Sequence, residues 1–134
     1  MTRRQQRARA VQSEAETRKV VEEYFSAWTS RRPEDAFRTL ADDLQFAGPT
    51  ASYASAAAFR PALFGFAAMT KAARKIELVV QGASAALLYD CDLPEPVGTL
   101  RIASFFRVRD GKICWYETYF DATELRKLLP QRAG

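Results

Sequence analysis

After Lys75 the apolar period of this chain drops from helical to strand-like, and that switch limits the fold more than any other feature. Four strand-like stretches follow: Ile76 to Val80, Ala85 to Leu93, Thr99 to Arg109 and Lys112 to Phe120. They are separated by Gly82-Ala83-Ser84, by Pro94 to Gly98 and by Asp110-Gly111. The last dipeptide is the strongest hairpin signal in the chain, because a two-residue turn that matches strand twist needs positive φ at both positions. Ahead of the switch, Val20, Val21, Tyr24, Phe25 and Trp28 form one broad helical stripe, preceded by Ser13 and Glu16 at capping-box spacing. Pro33 suits the first turn of a second helix, Glu34 to Ala41, and Leu44 to Ala47 alternates as a short strand stopped by Gly48-Pro49. An Ala-rich third helix is expected from about Ser55, bent near Pro61 and Gly65, with Phe59, Leu63, Phe64, Phe66 and Met69 as its apolar side chains. Asp121 and Glu124 read as a capping box for a final helix through Leu129, ended by Pro130. Helices, then a four-stranded meander, then a closing helix make an α+β domain.

The 134 residues suit one domain, expected over 13–130, between a disordered basic tail at 1–12 and a short tail at 131–134. With 48% hydrophobic residues the chain has enough apolar surface for a core. It holds no apolar run long enough to span a membrane, and its basic opening lacks the apolar segment of a secretory signal. The net charge of +4 rests on Arg3, Arg4, Arg7, Arg9 and Arg132 at the two ends, so no nucleic-acid partner is expected. Histidine is absent and no CxxC pair occurs, which removes His-based catalysis and leaves no expected metal or cofactor. Cys91 and Cys114 fit free thiols in a reducing cytoplasm.

The stretch SFFRVRDGKICWYETYFD, Ser104 to Asp121, closely resembles the last hairpin of the nuclear transport factor 2-like superfamily. VEEYFSAW from Val21 to Trp28, and LADD from Leu40 to Asp43 ahead of the first strand, are similar to its front. The resemblance covers about residues 13–129, and its nearest branches are the SnoaL-like (polyketide cyclase-like) proteins and limonene-epoxide hydrolase. It implies a cone-shaped, strongly bent antiparallel sheet wrapped on N-terminal helices, a deep pocket for a small apolar organic ligand, and a homodimer formed through the sheet. The catalytic sets of these relatives transfer only in pieces. The hydrolase pattern of Asp, Arg and Asp falls on Asp92, Asp90 and Thr118, and its water-holding Tyr and Asn fall on Phe46 and Gly48. The ester-cyclase aspartate also falls on Thr118. Of the ketosteroid isomerase set, the tyrosine is matched by Tyr24, while the proton-shuttling aspartate and second donor fall on Gly48 and Ser104. No set is complete, so none of the three activities is carried over.

Side chains two apart on a strand share a face. Taken with the resemblance, this puts Asp90 and Asp92 into the pocket, with Leu100, Ile102, Ser104 and Phe106 beside them and Cys114, Tyr116, Thr118 and Phe120 from the last strand. Trp28 and Phe46 complete the expected lining, and Trp115, Glu117 and Tyr119 point to the opposite face. Two carboxylates about 6.5–7 Å apart on one strand oppose each other's ionisation, and in apolar surroundings one would keep its proton near neutral pH. Asp92 would then be the principal proton carrier, Asp90 its partner and Tyr24 the hydrogen-bond donor to a carbonyl or enolate. Two other environments fit the same residues: Asp90 and Asp92 at an open strand end in water, just before Pro94, and Tyr24 as an ordinary core residue. Three kinds of function follow. One is a cofactor-independent cyclase or isomerase acting on a small apolar carbonyl compound. The second is a non-catalytic binding protein with the same pocket. The third, a partner-binding module, would need an exposed apolar patch outside the dimer face.

Overall fold

The computed structural model describes residues 1–128, and of residues 10–12 the backbone alone. The expected helix end at Leu129 and Pro130 and the tail at 131–134 lie outside the described residues. In chain order the elements are α1 (Arg3–Thr29), α2 (Pro33–Phe37), β1 (Leu40–Ala47), β2 (Ser52–Tyr53), α3 (Ala56–Met69), β3 (Ala72–Gln81), β4 (Ser84–Asp92), β5 (Thr99–Arg109), β6 (Lys112–Tyr119) and α4 (Thr123–Leu128).

The switch of period after Lys75 marks the sheet as expected, but the sheet is larger than a four-stranded meander. Six strands run in the order β2-β1-β6-β5-β4-β3, with both outer edges open. It is also not wholly antiparallel: β1 lies parallel to β6, while the other four pairings are antiparallel. The segment expected to end a second helix at Asp42-Asp43 is already strand β1, because the helix that Pro33 starts stops at Phe37. Asp110 and Gly111 both have positive φ, 52° and 75°, as the hairpin requires. Register shifts between Lys75 and Glu77, between Arg107 and Val108 and between Leu40 and Gln45 insert bulges that bend the sheet.

The helical layer packs on the concave side. Where a disordered tail is expected over residues 1–12, α1 instead begins at Arg3: Arg, Gln and Ala are strong helix formers. The capping box is made by Thr2 and Gln5 rather than by Ser13 and Glu16. Farther along, Thr17 Oγ1 lies 2.8 Å from the Ser13 carbonyl and 2.9 Å from that of Gly82, and the Gly82 N–H donates to Glu14 at 3.2 Å. These contacts tie α1 to the β3–β4 turn. Helix α3 runs unbroken through Pro61 and Gly65, capped by Ser55, whose hydroxyl accepts from the Ala58 N–H. The buried core gathers where α1 and α3 meet the sheet, with Val21, Leu44, Phe59, Leu63, Ile102, Phe106 and Ile113 at its centre.

Candidate functional site

Strand pairing decides which side chains enter the space between sheet and helices. On β5, Leu100, Ile102, Ser104 and Phe106 are buried, as expected. Their partners on β4 are Cys91, Tyr89, Leu87 and Ala85, and paired residues share a face. The odd-numbered residues of β4 therefore point inward, and Asp90 and Asp92 point outward. This corrects their expected place in the pocket. A slip of one residue moves a whole strand's side chains to the other face, and the family match had set that parity one residue out. On the outer face, Asp90 accepts from Arg101 at 2.5 and 3.2 Å. Asp92 accepts from Arg74 at 2.7 and 2.9 Å and from the Thr99 hydroxyl at 2.7 Å. The Arg101 guanidinium holds the Asp90 carboxyl below the usual carboxylate range, and Arg74, then Thr99, hold that of Asp92 well below it. Both are ionised near neutral pH and neither stores a proton.

The β6 face keeps its expected order with one exception. Tyr116 and Thr118 are buried, and Trp115, Glu117 and Tyr119 point outward. Cys114, expected inward, is the extra residue of the bulge, with Ile113 inward in its place; its thiol donates to the Arg107 carbonyl at 3.5 Å. Phe120 follows the strand and lines the cavity described next.

Between sheet and helices lies a cavity of about 110 Å³. Helix α1 contributes Tyr24 and Trp28 to its wall, and β1 contributes Phe46. The sheet adds Tyr89, Ile102, Tyr116 and Thr118, and α3 adds Phe59, Leu63 and Phe66. The rings interlock rather than stack in one direction. Tyr24 meets Tyr116 edge-on at 5.4 Å, Trp28 meets Phe66 at 5.7 Å and Tyr89 at 5.8 Å, and Phe46 stacks on Phe59 at 4.3 Å. Phe106 packs behind Tyr24 and Tyr116, and Leu100 belongs to the buried core, but neither lines the cavity. Ser104 also sits behind the wall, fully buried, and shares a 2.9 Å hydrogen bond with the hydroxyl of Thr118.

The polar character of the cavity is neutral. Burial pushes Tyr24 well above its ordinary value, helped by the neighbouring Tyr116 hydroxyl and by Tyr89. Burial likewise raises Tyr89, followed by Tyr116, while the Ser104 hydroxyl pulls slightly the other way. Hydroxyls from Tyr24, Tyr89, Tyr116, Ser104 and Thr118 thus collect in one region, each able to donate or accept. Among the described residues, the lining holds no carboxylate, thiol, lysine or arginine, and no three metal-ligating side chains converge anywhere. Such an arrangement binds a neutral polar group well and an ion poorly.

One rim is formed by the loop from Gly48 to Ala51 and by α4. Leu125 of α4 lines the cavity, and Arg126 donates to the Pro49 carbonyl at 2.9 Å, strapping the helix to the loop. Asp121 caps the start of α4, but without the expected capping box: its carboxylate accepts from the Thr123 N–H at 3.0 Å and from the Thr123 hydroxyl at 2.6 Å, while Glu124 pairs with Lys127.

Of the side chains expected to line the site, Tyr24, Trp28, Phe46, Ile102, Tyr116, Thr118 and Phe120 do so. Tyr89 was missed with the parity of β4, although Ala85, Leu87, Tyr89, Cys91 and Leu93 form an unbroken apolar alternation that marks them as the inner set. Phe59, Leu63 and Phe66 recur at helical spacing and carried a readable signal of their own.

The SnoaL-like domain family matches residues 21–116. No curated protein matches the sequence. Among solved structures, a protein from Kribbella flavida DSM 17836 is similar at 26% identity and a TM-score of 0.77, covering 81% of this chain and 89% of its own. A steroid delta-isomerase from Pseudomonas aeruginosa is similar at 21% identity and 0.72, covering 86% and 87%. An LEH-like epoxide hydrolase from M. tuberculosis is similar at 18% and 0.70, covering 85% and 89%. The last two likenesses are of fold. With the curved sheet, the N-terminal helices and the short closing helix all in place, the chain belongs to the SnoaL-like domain family.

Proposed function

We propose that this chain is a binding protein for a small, neutral, mostly apolar organic molecule, held between the sheet and helices α1 and α3. The observation that carries the reading is the composition of the cavity wall: interlocked rings and neutral hydroxyls, with both candidate carboxylates on the opposite face of the sheet. General acid/base turnover needs a group that changes protonation near the working pH and reaches the ligand. Asp90 and Asp92 meet neither condition, and burial keeps the protons on Tyr24 and Tyr89. The steroid delta-isomerase and epoxide hydrolase neighbours therefore lend their architecture to the reading rather than their reactions. Two free thiols suit a reducing compartment.

The protein contains two tryptophans, and they sit on opposite sides of the sheet. That separates the signals. In a Trp115→Phe variant the remaining fluorescence comes from Trp28 in the cavity wall, and titration with acetophenone should quench it saturably. Ala62→Phe, which places a ring into the cavity, should abolish the saturable phase. Quenching that survives Ala62→Phe unchanged would remove the basis of the assignment.

We also propose that a second copy covers the outer face. Val79, Phe105 and Tyr119 stand 54%, 42% and 55% exposed there, and large apolar side chains grouped on one face favour burial against a partner. Sedimentation at micromolar concentration should show a dimer, and Phe105→Glu should convert it to monomer; a monomeric wild-type protein would contradict this.

A further inference from the structure

The cavity wall has two unlike halves. Helix α3 presents only hydrocarbon: Phe59, Ala62, Leu63 and Phe66. The sheet and α1 present the hydroxyl group, with Tyr24, Tyr89, Tyr116 and Thr118 all nearly inaccessible. A ligand must therefore lay hydrocarbon against α3 while directing one polar atom at the sheet. Because each of those hydroxyls can donate or accept, the ligand atom is either a carbonyl or a hydroxyl oxygen. It must be uncharged, since an ion here would lose its hydration with no counter-charge among the described lining residues.

Size narrows the class further. About 110 Å³ is available. That is the scale of a single ring at most: a buried apolar cavity of about 150 Å³ takes one benzene, so a ring enters here only with small shifts of the surrounding side chains, and drug-sized ligands of about 300–1,000 Å³ are far too large. On the α4 side the ligand is bordered by Leu125 and by the Gly48–Ala51 loop, which Arg126 ties to α4 through the Pro49 carbonyl.

The geometry points to a neutral single-ring compound bearing one hydroxyl or carbonyl as the ligand class, with the Tyr24, Tyr89 and Tyr116 hydroxyls reading the polar atom. A fused-ring ligand such as a steroid does not fit this wall. The inference rests on the proposed binding function and is tested so that the two fail differently. Phenol, toluene, benzoate and 1-naphthol are titrated at pH 7.5 against the Trp115→Phe protein. Phenol should bind. Toluene, which lacks the polar atom, should be about 5–10-fold weaker, the size of one lost hydrogen bond. Benzoate, a charged ring of similar size, and 1-naphthol, with a second ring, should each be at least about tenfold weaker. Tyr116→Phe should shrink the phenol-to-toluene ratio at least twofold, and an unchanged ratio would remove the Tyr116 hydroxyl from the polar contact. 1-Naphthol or benzoate binding as tightly as phenol overturns the ligand class alone. Failure of all four to bind overturns the binding reading with it.

Discussion

Tyr89 and Asp90 are neighbours on β4, and their surroundings could hardly differ more. Tyr89 faces α1, touches Trp28 and Phe25 edge-on, and belongs to a wall of rings and hydroxyls that water scarcely reaches. Asp90 faces out, beside Arg101 and directly across from Arg74, which pairs with Asp92. Around these two residues the inner face is greasy and neutral and the outer face is charged and paired, while farther along the outer face Val79, Phe105 and Tyr119 stand exposed. The difference teaches that in this fold a carboxylate's sequence neighbourhood says little about its role, because a single residue of parity separates a buried acid that would keep its proton from a surface partner ionised near neutral pH.

The largest effect that would test the contrast compares two adjacent phenylalanines. Phe106 is buried against Tyr24 and Tyr116, while Phe105 lies on the outer face against Tyr119. Phe106→Ala should cost about 3–5 kcal/mol of stability. Phe105→Ala, away from the core, should stay within about 0.5 kcal/mol when urea melts are compared in the monomer. Equal costs would mean that the faces are assigned wrongly.

A smaller effect concerns the Ser104–Thr118 hydrogen bond. Ser104→Ala leaves the buried Thr118 hydroxyl without its partner and should cost about 1–3 kcal/mol. Adding Thr118→Val should cost little more, because the orphaned hydroxyl is then gone; additive losses in the double variant would show that the pair is not coupled.

The smallest effect lies on the outer face and is a matter of pH. The carboxyl of Asp92 titrates lower in the folded protein than in the unfolded chain. Its contribution is therefore present above the unfolded value, about 3.9, and is lost as the pH falls towards the folded value. Asp92→Asn should lower the urea midpoint slightly at pH 6, the gap should narrow progressively as the pH falls below about 3.9 towards the folded value, and ligand affinity should stay unchanged. A variant that loses ligand affinity would return Asp92 to the site.

Much of this was legible in the residues. The switch of period, the Asp110-Gly111 turn and the faces of β5 and β6 follow from alternation and turn chemistry, and seven of the cavity's wall residues follow with them. Two kinds of information were not local. The parity of β4 depends on its pairing with β5, and aligning Asp92 to a catalytic aspartate overrode the alternation from Ala85 to Leu93 that stated it correctly. The extra residue at Cys114 is a property of two strands together, invisible in one. The start of α1 was misjudged for another reason: charge was read as disorder where helix propensity prevails.

The central claim is that nothing in the ligand's surroundings changes charge near neutrality. The direct measurement is phenol affinity for the Trp115→Phe protein from pH 5 to pH 8.5, over which phenol itself stays neutral. The expected result is a flat profile, constant within about twofold. A tenfold change with a midpoint inside that range would place a titrating acid or base beside the ligand and contradict the account.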